Sequence, residues 1–237
     1  MRKIINDGVS KMGLSIDENK TENLIRYSEL LKEWNEKMNL TAITEEYDVA
    51  TKHFLDCLAI FDYVDFKDDD KVIDVGCGAG FPSVVMGIKN KNINITLLDS
   101  LNKRITFLNE VIEKLNLKKL CAIHSRAEDL GRNKEHREKY DYAVSRAVAN
   151  LTSLTELCLP FVKVGGYFIA LKGPNVSEEI NDAKNAIKLL GGEIEKVVNY
   201  EIPTTDLNHN LVFIKKISPT STRFPRKSPK PIKEPLK

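Results

Sequence analysis

Hydrophobic positions along the 237-residue chain change their spacing twice, which divides the sequence into three regions. In residues 1–66 apolar side chains recur every three or four positions, as they do on one side of a helix. One predicted helix lies within ENKTENLIRYSELLKEWNEKMNL, and a second runs from Glu45 to Val64. The acidic stretch KDDDK then interrupts the pattern. We therefore predict an N-terminal helical extension over residues 1–66.

Short apolar runs alternate with helical patterns in the second region, residues 67–217. The predicted strands are VIDV, ITLL, CAIH, YAVS and GYFIAL, at 72–75, 95–98, 121–124, 142–145 and 166–171. Helical stretches separate them, at roughly 81–89, 101–116, 150–159 and 176–190. This alternation indicates parallel βαβ units whose helices cover both faces of the sheet. Two adjacent strand patterns, IEKVVNYEI and NLVFIKKI, then predict a closing antiparallel hairpin. The predicted fold class is therefore α/β, with a mostly parallel seven-stranded sheet.

The third region, residues 218–237, differs from the rest in charge and composition. Six of its residues are basic and one is acidic, so it carries a formal charge of +5 whereas residues 1–217 carry −3. Five of the nine prolines also lie here. We expect such a segment not to build a core. It is typical either of an arm that binds a polyanion or of a solubilising, disordered terminus, and charge alone leaves both interpretations open.

Composition narrows the class of protein. The chain is 42% apolar and 30% charged, which suits a domain with a buried core. No run approaches the ~18 apolar residues of a membrane helix, and the N-terminal stretch lacks the apolar segment of a secretory signal. The cysteines are widely spaced without a CxxC pair, so we expect reduced thiols, no structural zinc and a cytoplasmic protein; they are Cys57, Cys77, Cys121 and Cys158.

A cluster of three glycines follows the first predicted strand, in the sequence DVGCGAGFP. Glycine permits tight turns and lets a ligand rest against the main chain, and open α/β sheets bind ligands at such strand ends. The spacing lacks the GxxxxGK[ST] of a P-loop. It also departs from the GxGxxG of dinucleotide-binding enzymes, because Phe81 occupies the place of the third glycine. The cluster therefore indicates a small-molecule site of another kind, or a simple turn.

Two acidic residues follow the next strands. Asp99 ends the second strand, 23 residues after Gly76, where a carboxylate can accept hydrogen bonds from both hydroxyls of a ribose. It can also cap the helix that starts near Leu101, and the two roles are compatible. Glu128 follows the third strand, in a loop that can meet an adenine edge. Together the three strand ends predict one nucleoside pocket.

This combination of a D-V-G-x-G-x-G loop, two acids and a closing hairpin resembles the class I S-adenosylmethionine-dependent methyltransferases, which have a Rossmann-like fold. Pyrimidine C5 chemistry is disfavoured because none of the cysteines follows a proline. Exocyclic amine chemistry is disfavoured because SRAVAN stands where a [DN]PP[YFW] motif is expected. Guanine N7 remains as an acceptor, since its in-plane lone pair needs alignment with the methyl group rather than a general base.

Eight segments in one order extend the resemblance over nearly the whole chain, to the bacterial small-subunit ribosomal RNA guanine-N7 methyltransferases, also called glucose-inhibited division protein B. The segments are WNEKMNLTAI, HFLDCL, DVGCGAGFPS, LLDSLNKRITFL, SRAED, SRAVA, ALKG and TRFPRKSPKP. The resemblance implies methylation of guanine N7 in 16S rRNA, in the 530-loop of the decoding region and within the small subunit. It implies S-adenosylmethionine as donor, no metal and no membrane partner. We expect a monomer.

The resemblance also implies roles for individual residues. Those expected to hold the cofactor are Gly76, Gly78, Phe81, Asp99, Ala127, Glu128 and Arg146. The candidates for catalysis are Arg146, Lys172 and Arg126, and those for RNA contact are Arg126, Lys172 and Arg226. An arginine fork suits phosphate or the O6/N7 edge of guanine. His53 and Asp56 share a helix face, and we expect them to be structural.

Three other functions stay open at this point. The chain can be a class I methyltransferase with a small-molecule or protein substrate. It can also be a ribosome-assembly or RNA-binding factor that keeps the fold without catalysis. An NAD-linked dehydrogenase is disfavoured because Phe81 replaces its third glycine.

Overall fold

The computed structural model describes residues 1–146 and 149–236, and within these residues seven strands form one sheet. The strands are β1 Lys71–Val75, β2 Asn94–Asp99, β3 Leu120–His124, β4 Tyr140–Arg146, β5 Val162–Lys172, β6 Gly192–Glu201 and β7 Asn208–Lys216. Their order across the sheet is β3-β2-β1-β4-β5-β7-β6. The first five are parallel, and β7 is antiparallel to both β5 and β6. The predicted mostly parallel sheet with a closing hairpin is confirmed.

Helices lie before, between and after these strands. They are α1 Arg2–Lys11, α2 Glu18–Asn35, α3 Glu46–Asp48, α4 Asp56–Leu58, α5 Ser83–Lys89, α6 Asn102–Lys114, α7 Ala127–Leu130, α8 Leu151–Cys158, α9 Ser177–Leu189 and α10 Lys230–Lys233. Local sequence explains several of their starts, since Asp17 accepts a hydrogen bond from the Lys20 amide before α2, and Asn150 does so from Ser153 before α8.

The predicted helix from Glu45 to Val64 is a continuous helical stretch with a change of pitch. A π-helical segment, Val49–Leu55, joins α3 to α4, and a 3-10 turn, Ala59–Asp62, follows. Such wide turns offer carbonyl groups that an α-helix would bond internally, and they are frequent at functional sites. The carbonyl of Lys52 in this segment accepts a hydrogen bond from an arginine of the sheet, described below.

Alternating side chains along the strands divide the core into two apolar layers. Val72 of β1 faces the layer that contains α1, α2, α5 and α6, whereas its neighbour Ile73 faces the layer with α8 and α9. The N-terminal helices share their layer with the sheet, and the Trp34 ring lies 5.7 Å from that of Phe107 in α6. Helices thus cover both faces of the sheet, as the sequence predicts.

The tail packs against the second layer, so the expectation that it contributes nothing to a core is wrong. Phe224 is buried there, and Thr220 is also buried. The guanidinium of Arg137 donates hydrogen bonds to the carbonyls of Thr220, Ser221 and Phe224. Composition led to this error because the tail has few apolar residues. The aromatic side chain of Phe224 and the hydrogen bonds from Arg137, in a distant loop, are enough to hold the tail against the layer.

Candidate functional site

A cleft of about 450 Å³ opens at the carboxyl ends of β1, β2 and β3. Parallel strands that end at one edge bring their loops together there, which is where α/β folds place their ligands. Eight of the residues singled out from the sequence line this cleft: Gly76, Gly78, Phe81, Asp99, Arg126, Ala127, Glu128 and Arg146. The structure thus brings these predicted residues together in one place, and their binding of a nucleoside stays a prediction.

The glycine loop after β1 has left-handed backbone conformations that glycine favours. The φ angles are 74° at Gly76, 58° at Gly78 and 98° at Gly80. A Cβ at Gly80 would lie 2.5 Å from Cγ2 of Val84, whereas one at Gly78 would meet only backbone, 4.0 Å away. The loop is therefore packed at its far end and open to the cleft in its middle. The hydroxyl of Tyr27 fastens it by donating to the Ala79 carbonyl at 2.5 Å.

Asp99 joins the first two loops. Its Oδ2 accepts hydrogen bonds from the Gly78 amide at 3.0 Å and from Arg104 at 3.1 Å, and its Oδ1 accepts one from the Leu101 amide at 2.9 Å. These contacts hold the start of α6, but the N-cap of that helix is Leu101 and has no side-chain cap hydrogen bond, so the predicted capping by Asp99 is not observed. The carboxylate is buried but lines the cleft, and about one of its four lone-pair sites can accept a further hydrogen bond.

The loop after β3 forms the third side of the cleft. The Ser125 amide donates to the Asp99 carbonyl at 3.1 Å, which ties this loop to the end of β2. Arg126 precedes α7 and is exposed, with Nη1 donating to the Ser228 hydroxyl at 3.0 Å. Ala127 and the buried Glu128 follow in α7 and line the cleft.

A stack of three side chains, from His53, Phe81 and Arg146, forms a further part of the cleft wall. The ring of Phe81 lies parallel to that of His53, with centroids 4.2 Å apart. The Cζ atom of Arg146, at the end of β4, lies 4.9 Å from the centre of the Phe81 ring. This distance is within the range of a cation–π interaction. Phe81 therefore holds the guanidinium plane at the cleft.

Hydrogen bonds from the helical stretch 46–62 fix Arg146 further. Its Nη1 donates to the Lys52 carbonyl at 3.2 Å and to Asp56 Oδ2 at 3.0 Å, and its Nη2 donates to His53 Nδ1 at 3.0 Å. Because a guanidinium only donates, His53 Nδ1 must accept, and the proton lies on Nε2, 3.0 Å from the Thr41 hydroxyl. Burial, and secondly the charge of Arg146, lower the pKa of His53 to about 3.

Asp56 is the buried counter-ion of this arrangement. Its Oδ1 accepts hydrogen bonds from the Tyr200 hydroxyl at 2.7 Å and from His209 Nδ1 at 2.8 Å. Burial alone would raise the pKa of Asp56, but the His209 hydrogen bond and the charge of Arg146 outweigh it and keep that pKa below its usual value. The carboxylate therefore stays ionised and links β4 to the hairpin β6–β7.

Asp74 is a second buried acid, in β1 just before the glycine loop. It is fully buried, and burial raises the pKa of its carboxyl to about 7. Its carboxylate oxygens have no hydrogen-bond partner among the described residues, whereas those of Asp99 at the end of β2 meet two backbone amides. Asp74 does not line the cleft and lies behind the loop.

Lys172 and Arg226 lie outside the cleft lining and are engaged with acidic residues. Nζ of Lys172 donates to the Ala149 carbonyl at 3.0 Å and pairs with Glu179 at 2.6 Å. Nη2 of Arg226 lies 2.7 Å from Oε2 of Glu156, whose side chain is 1% exposed. Both side chains are thus held by the fold, and their contact with RNA stays a prediction.

Comparison with known proteins places the chain in a family. A model of the GidB family, described as rRNA small subunit methyltransferase G, matches residues 20–208. The chain belongs to this family. A "Ribosomal RNA small subunit methyltransferase G" from Clostridium perfringens is 55% identical over 226 residues, which cover 95% of this chain and 95% of the relative. The family resemblance drawn from the eight segments is confirmed.

Solved structures that resemble this GidB-family chain have the predicted fold. TYW2 of M. jannaschii in complex with AdoMet has a TM-score of 0.51 at 14% identity, over 64% of this chain and 71% of that chain. Precorrin-6y C5,15-methyltransferase from Geobacter metallireducens has a TM-score of 0.52 at 12% identity, over 76% and 92%. The predicted class I methyltransferase fold is confirmed.

The GidB-family site contains residues that sequence reasoning did not assign to it. His53 and Asp56 were expected to be structural, yet His53 lines the cleft and Asp56 holds Arg146. Their spacing in HFLD was the available signal. Tyr200 and His209 gave none, because they lie 144 and 153 residues from Asp56 in sequence.

Within residues 1–146 and 149–236, no group of three or more His, Cys, Asp or Glu side chains is arranged to hold a metal ion. No helix in the same part of the chain is long and apolar enough to cross a membrane.

Proposed function

We propose that this chain transfers a methyl group from S-adenosylmethionine to N7 of a guanine in the 530-loop of 16S rRNA, in the cytoplasm. The observation that carries the proposal is the cleft at three successive strand ends, with a bare glycine backbone and two buried acids. Family membership supports an rRNA substrate, since the relative from Clostridium perfringens is named as a small-subunit rRNA methyltransferase. The fold shared with an AdoMet complex supports the donor.

The residues at the cleft fit the donor. Gly76 and Gly78 present backbone to the cleft without a Cβ, which suits the amino and carboxylate groups of a methionine part. Asp99 uses three of its roughly four lone-pair sites within the described residues, which leaves one for a ribose hydroxyl. Ala127 and Glu128 line the same cleft and are proposed to meet the adenine. When bound, S-adenosylmethionine supplies an electrophilic methyl carbon on a sulfonium.

The part of the cleft wall formed by His53, Phe81 and Arg146 suits a methyl acceptor that needs no base. His53 stays neutral at physiological pH, and its Nδ1 already accepts a hydrogen bond from Arg146, so this imidazole is not a proton acceptor. Guanine N7 carries a lone pair in the plane of the base, so alignment is the main requirement for attack. Methylation there adds positive charge to the base without releasing a proton.

Arg146 is the residue best placed to align the guanine. Hydrogen bonds to the described residues use three of its five N–H donors, and its side chain reaches the cleft. Its remaining donors can hold O6 of the guanine in a fixed direction, which lysine cannot reproduce, while the N7 lone pair stays free to face the methyl carbon. Arg126, exposed at the rim of the cleft, is a proposed phosphate contact, as are Lys172 and Arg226. Folded RNA is recognised by shape and splayed bases, which favours the assembled small subunit as substrate.

The test is transfer of labelled methyl groups in vitro, followed by digestion of the RNA to nucleosides. Purified small subunits from cells without the gene should gain N7-methylguanosine, at most one per subunit. Arg146→Lys should lower the rate at least tenfold, which is about 1.4 kcal/mol in the barrier. Label in another nucleoside would reject guanine N7. Donor binding without any transfer to subunits or naked 16S rRNA would favour a non-catalytic assembly factor.

A further inference from the structure

The C-terminal tail is fastened to α8 by an ion pair between Arg226, whose side chain is 23% exposed, and Glu156, whose side chain is 1% exposed. Nε of Arg226 donates to Glu156 Oε1 at 2.9 Å, and its Nη2 donates to Oε2 at 2.7 Å. The backbone amide of Arg226 donates to Oε1 as well, at 2.7 Å. Glu156 is completely buried as a residue. A fork-to-fork pair with an added amide contact fixes both the position and the direction of the tail at this point.

Two further hydrogen bonds direct the tail toward the cleft. The Ser153 hydroxyl of α8 donates to the Pro231 carbonyl at 2.8 Å, in α10. Arg126, just before α7, donates to the Ser228 hydroxyl at 3.0 Å. Since α7 belongs to the loop after β3, the tail crosses from α8 to that side of the cleft.

Ile232, in α10, is where the tail reaches the cleft. It lines the cavity together with Ala127 of α7 and Leu157 of α8, and 48% of the residue is exposed. Leu157 belongs to the second apolar layer, and Ala127 packs against it. Together with Ile232 they extend that layer into the cleft. A half-exposed branched aliphatic side chain at this point is an apolar surface available to a ligand.

We propose that Ile232 binds the adenine of the methyl donor, and that Glu156 and Arg226 are positioning residues that hold it there. The proposal rests on the proposed function, which puts adenine beside Ala127. The faces of an adenine ring are apolar. Contact between such a face and the side chain of Ile232 removes apolar surface of both from water, which stabilises binding. The tail then completes the donor site. Its role is therefore not limited to binding RNA through its basic residues.

The test is calorimetric titration of the full chain without RNA, using S-adenosylhomocysteine and, separately, 5′-methylthioadenosine. The second ligand keeps the adenosine and lacks the amino-acid part. Ile232→Ala should raise the Kd of both ligands by about tenfold, since roughly two buried methyl or methylene groups are lost. Ile232→Leu should restore binding to within about twofold. Equal affinity of Ile232→Ala and wild type for both ligands would overturn the proposal.

Ile217→Ala is the matched control. Ile217 is 52% exposed, follows β7 and does not line the cleft, so its loss should leave both Kd values unchanged. Arg226→Gln should raise both Kd values, and adding Ile232→Ala to it should cause little further loss, because the two act on one contact. A thermal melt confirms that Arg226→Gln is folded. Full additivity would overturn the positioning role.

The outcomes separate this proposal from the proposed function. If wild type binds neither ligand, the donor itself is wrong and the proposed function fails. If wild type binds and Ile232→Ala weakens only RNA binding, the tail is an RNA arm and the adenine contact is rejected. If both ligands weaken in parallel, the adenine contact is supported whichever nucleotide is methylated.

Discussion

Replacement of Asp56 by asparagine removes the charge that compensates the buried guanidinium of Arg146. The two groups are 3.0 Å apart, and their side chains are 2% and 15% exposed. At that distance the attraction is roughly 5 kcal/mol with an effective dielectric constant of about 20. Loss of one partner of a buried pair costs about 3–5 kcal/mol. Asparagine still offers an acceptor to Tyr200 and His209, so we expect the lower end, about 3 kcal/mol.

Thermal and urea unfolding measure this loss. For a chain of this length each kcal/mol lowers Tm by about 2–4 °C, so Asp56→Asn should melt roughly 6–12 °C below wild type. Methyl transfer should also slow, because Arg146 loses the contact that fixes its plane. Asp65→Asn is the control, since Asp65 and its partner Lys67 are both largely exposed and the pair should not affect Tm. An unchanged Tm for Asp56→Asn would refute the view that this ion pair organises the site.

Two further perturbations test the loop and the buried titrating groups. Between about pH 4 and 6.5, unfolding protonates His53, whose native pKa is about 3, and ionises Asp74, whose native pKa is about 7. Protonation of His53 on unfolding makes the free energy of unfolding rise with pH, and ionisation of Asp74 makes it fall. Relative to wild type, the slope of this free energy against pH should therefore be lower in His53→Gln and higher in Asp74→Asn, by up to about 1.4 kcal/mol per pH unit. Urea unfolding from pH 4.5 to 6.5 measures both, and equal slopes would contradict the assignment. Gly80→Ala adds a Cβ 2.5 Å from Val84 Cγ2 at a φ of 98°, whereas Gly165→Ala meets nothing within 4 Å at a φ of 91°. Both substitutions add backbone strain of about 1–3 kcal/mol, and Gly80→Ala should lower the free energy of unfolding by at least about 1 kcal/mol more than Gly165→Ala, because of its added clash. Equal decreases in urea unfolding would show that the loop relaxes.

The elements that sequence analysis predicted well are those with local signals. An apolar run predicts the first strand, and the glycines after it predict the loop. The observed strand begins one residue before the predicted one, and the glycines have positive φ angles. Asp99 follows from its place at a strand end. Periodicity also predicted the helical stretch 46–62, although nothing local distinguishes the π-helical turn within it.

The remaining features depend on contacts between distant parts of the chain. Arg146 and Asp56 are 90 residues apart, and Arg226 and Glu156 are 70 apart. Neither pairing has a period or a spacing that a single sequence reveals. The tail was misjudged for the same reason, since its packing depends on donors such as Arg137 that lie outside it.

The central claim is that three strand ends hold one S-adenosyl compound with its methyl-bearing end toward Arg146. A crystal structure of the chain with S-adenosylhomocysteine tests this most directly. The account predicts a ribose hydroxyl within hydrogen-bond distance of Asp99, adenine between Ala127 and Ile232, and the sulfur nearest Phe81. Density for the ligand outside this cleft, or a ribose turned away from Asp99, would contradict it.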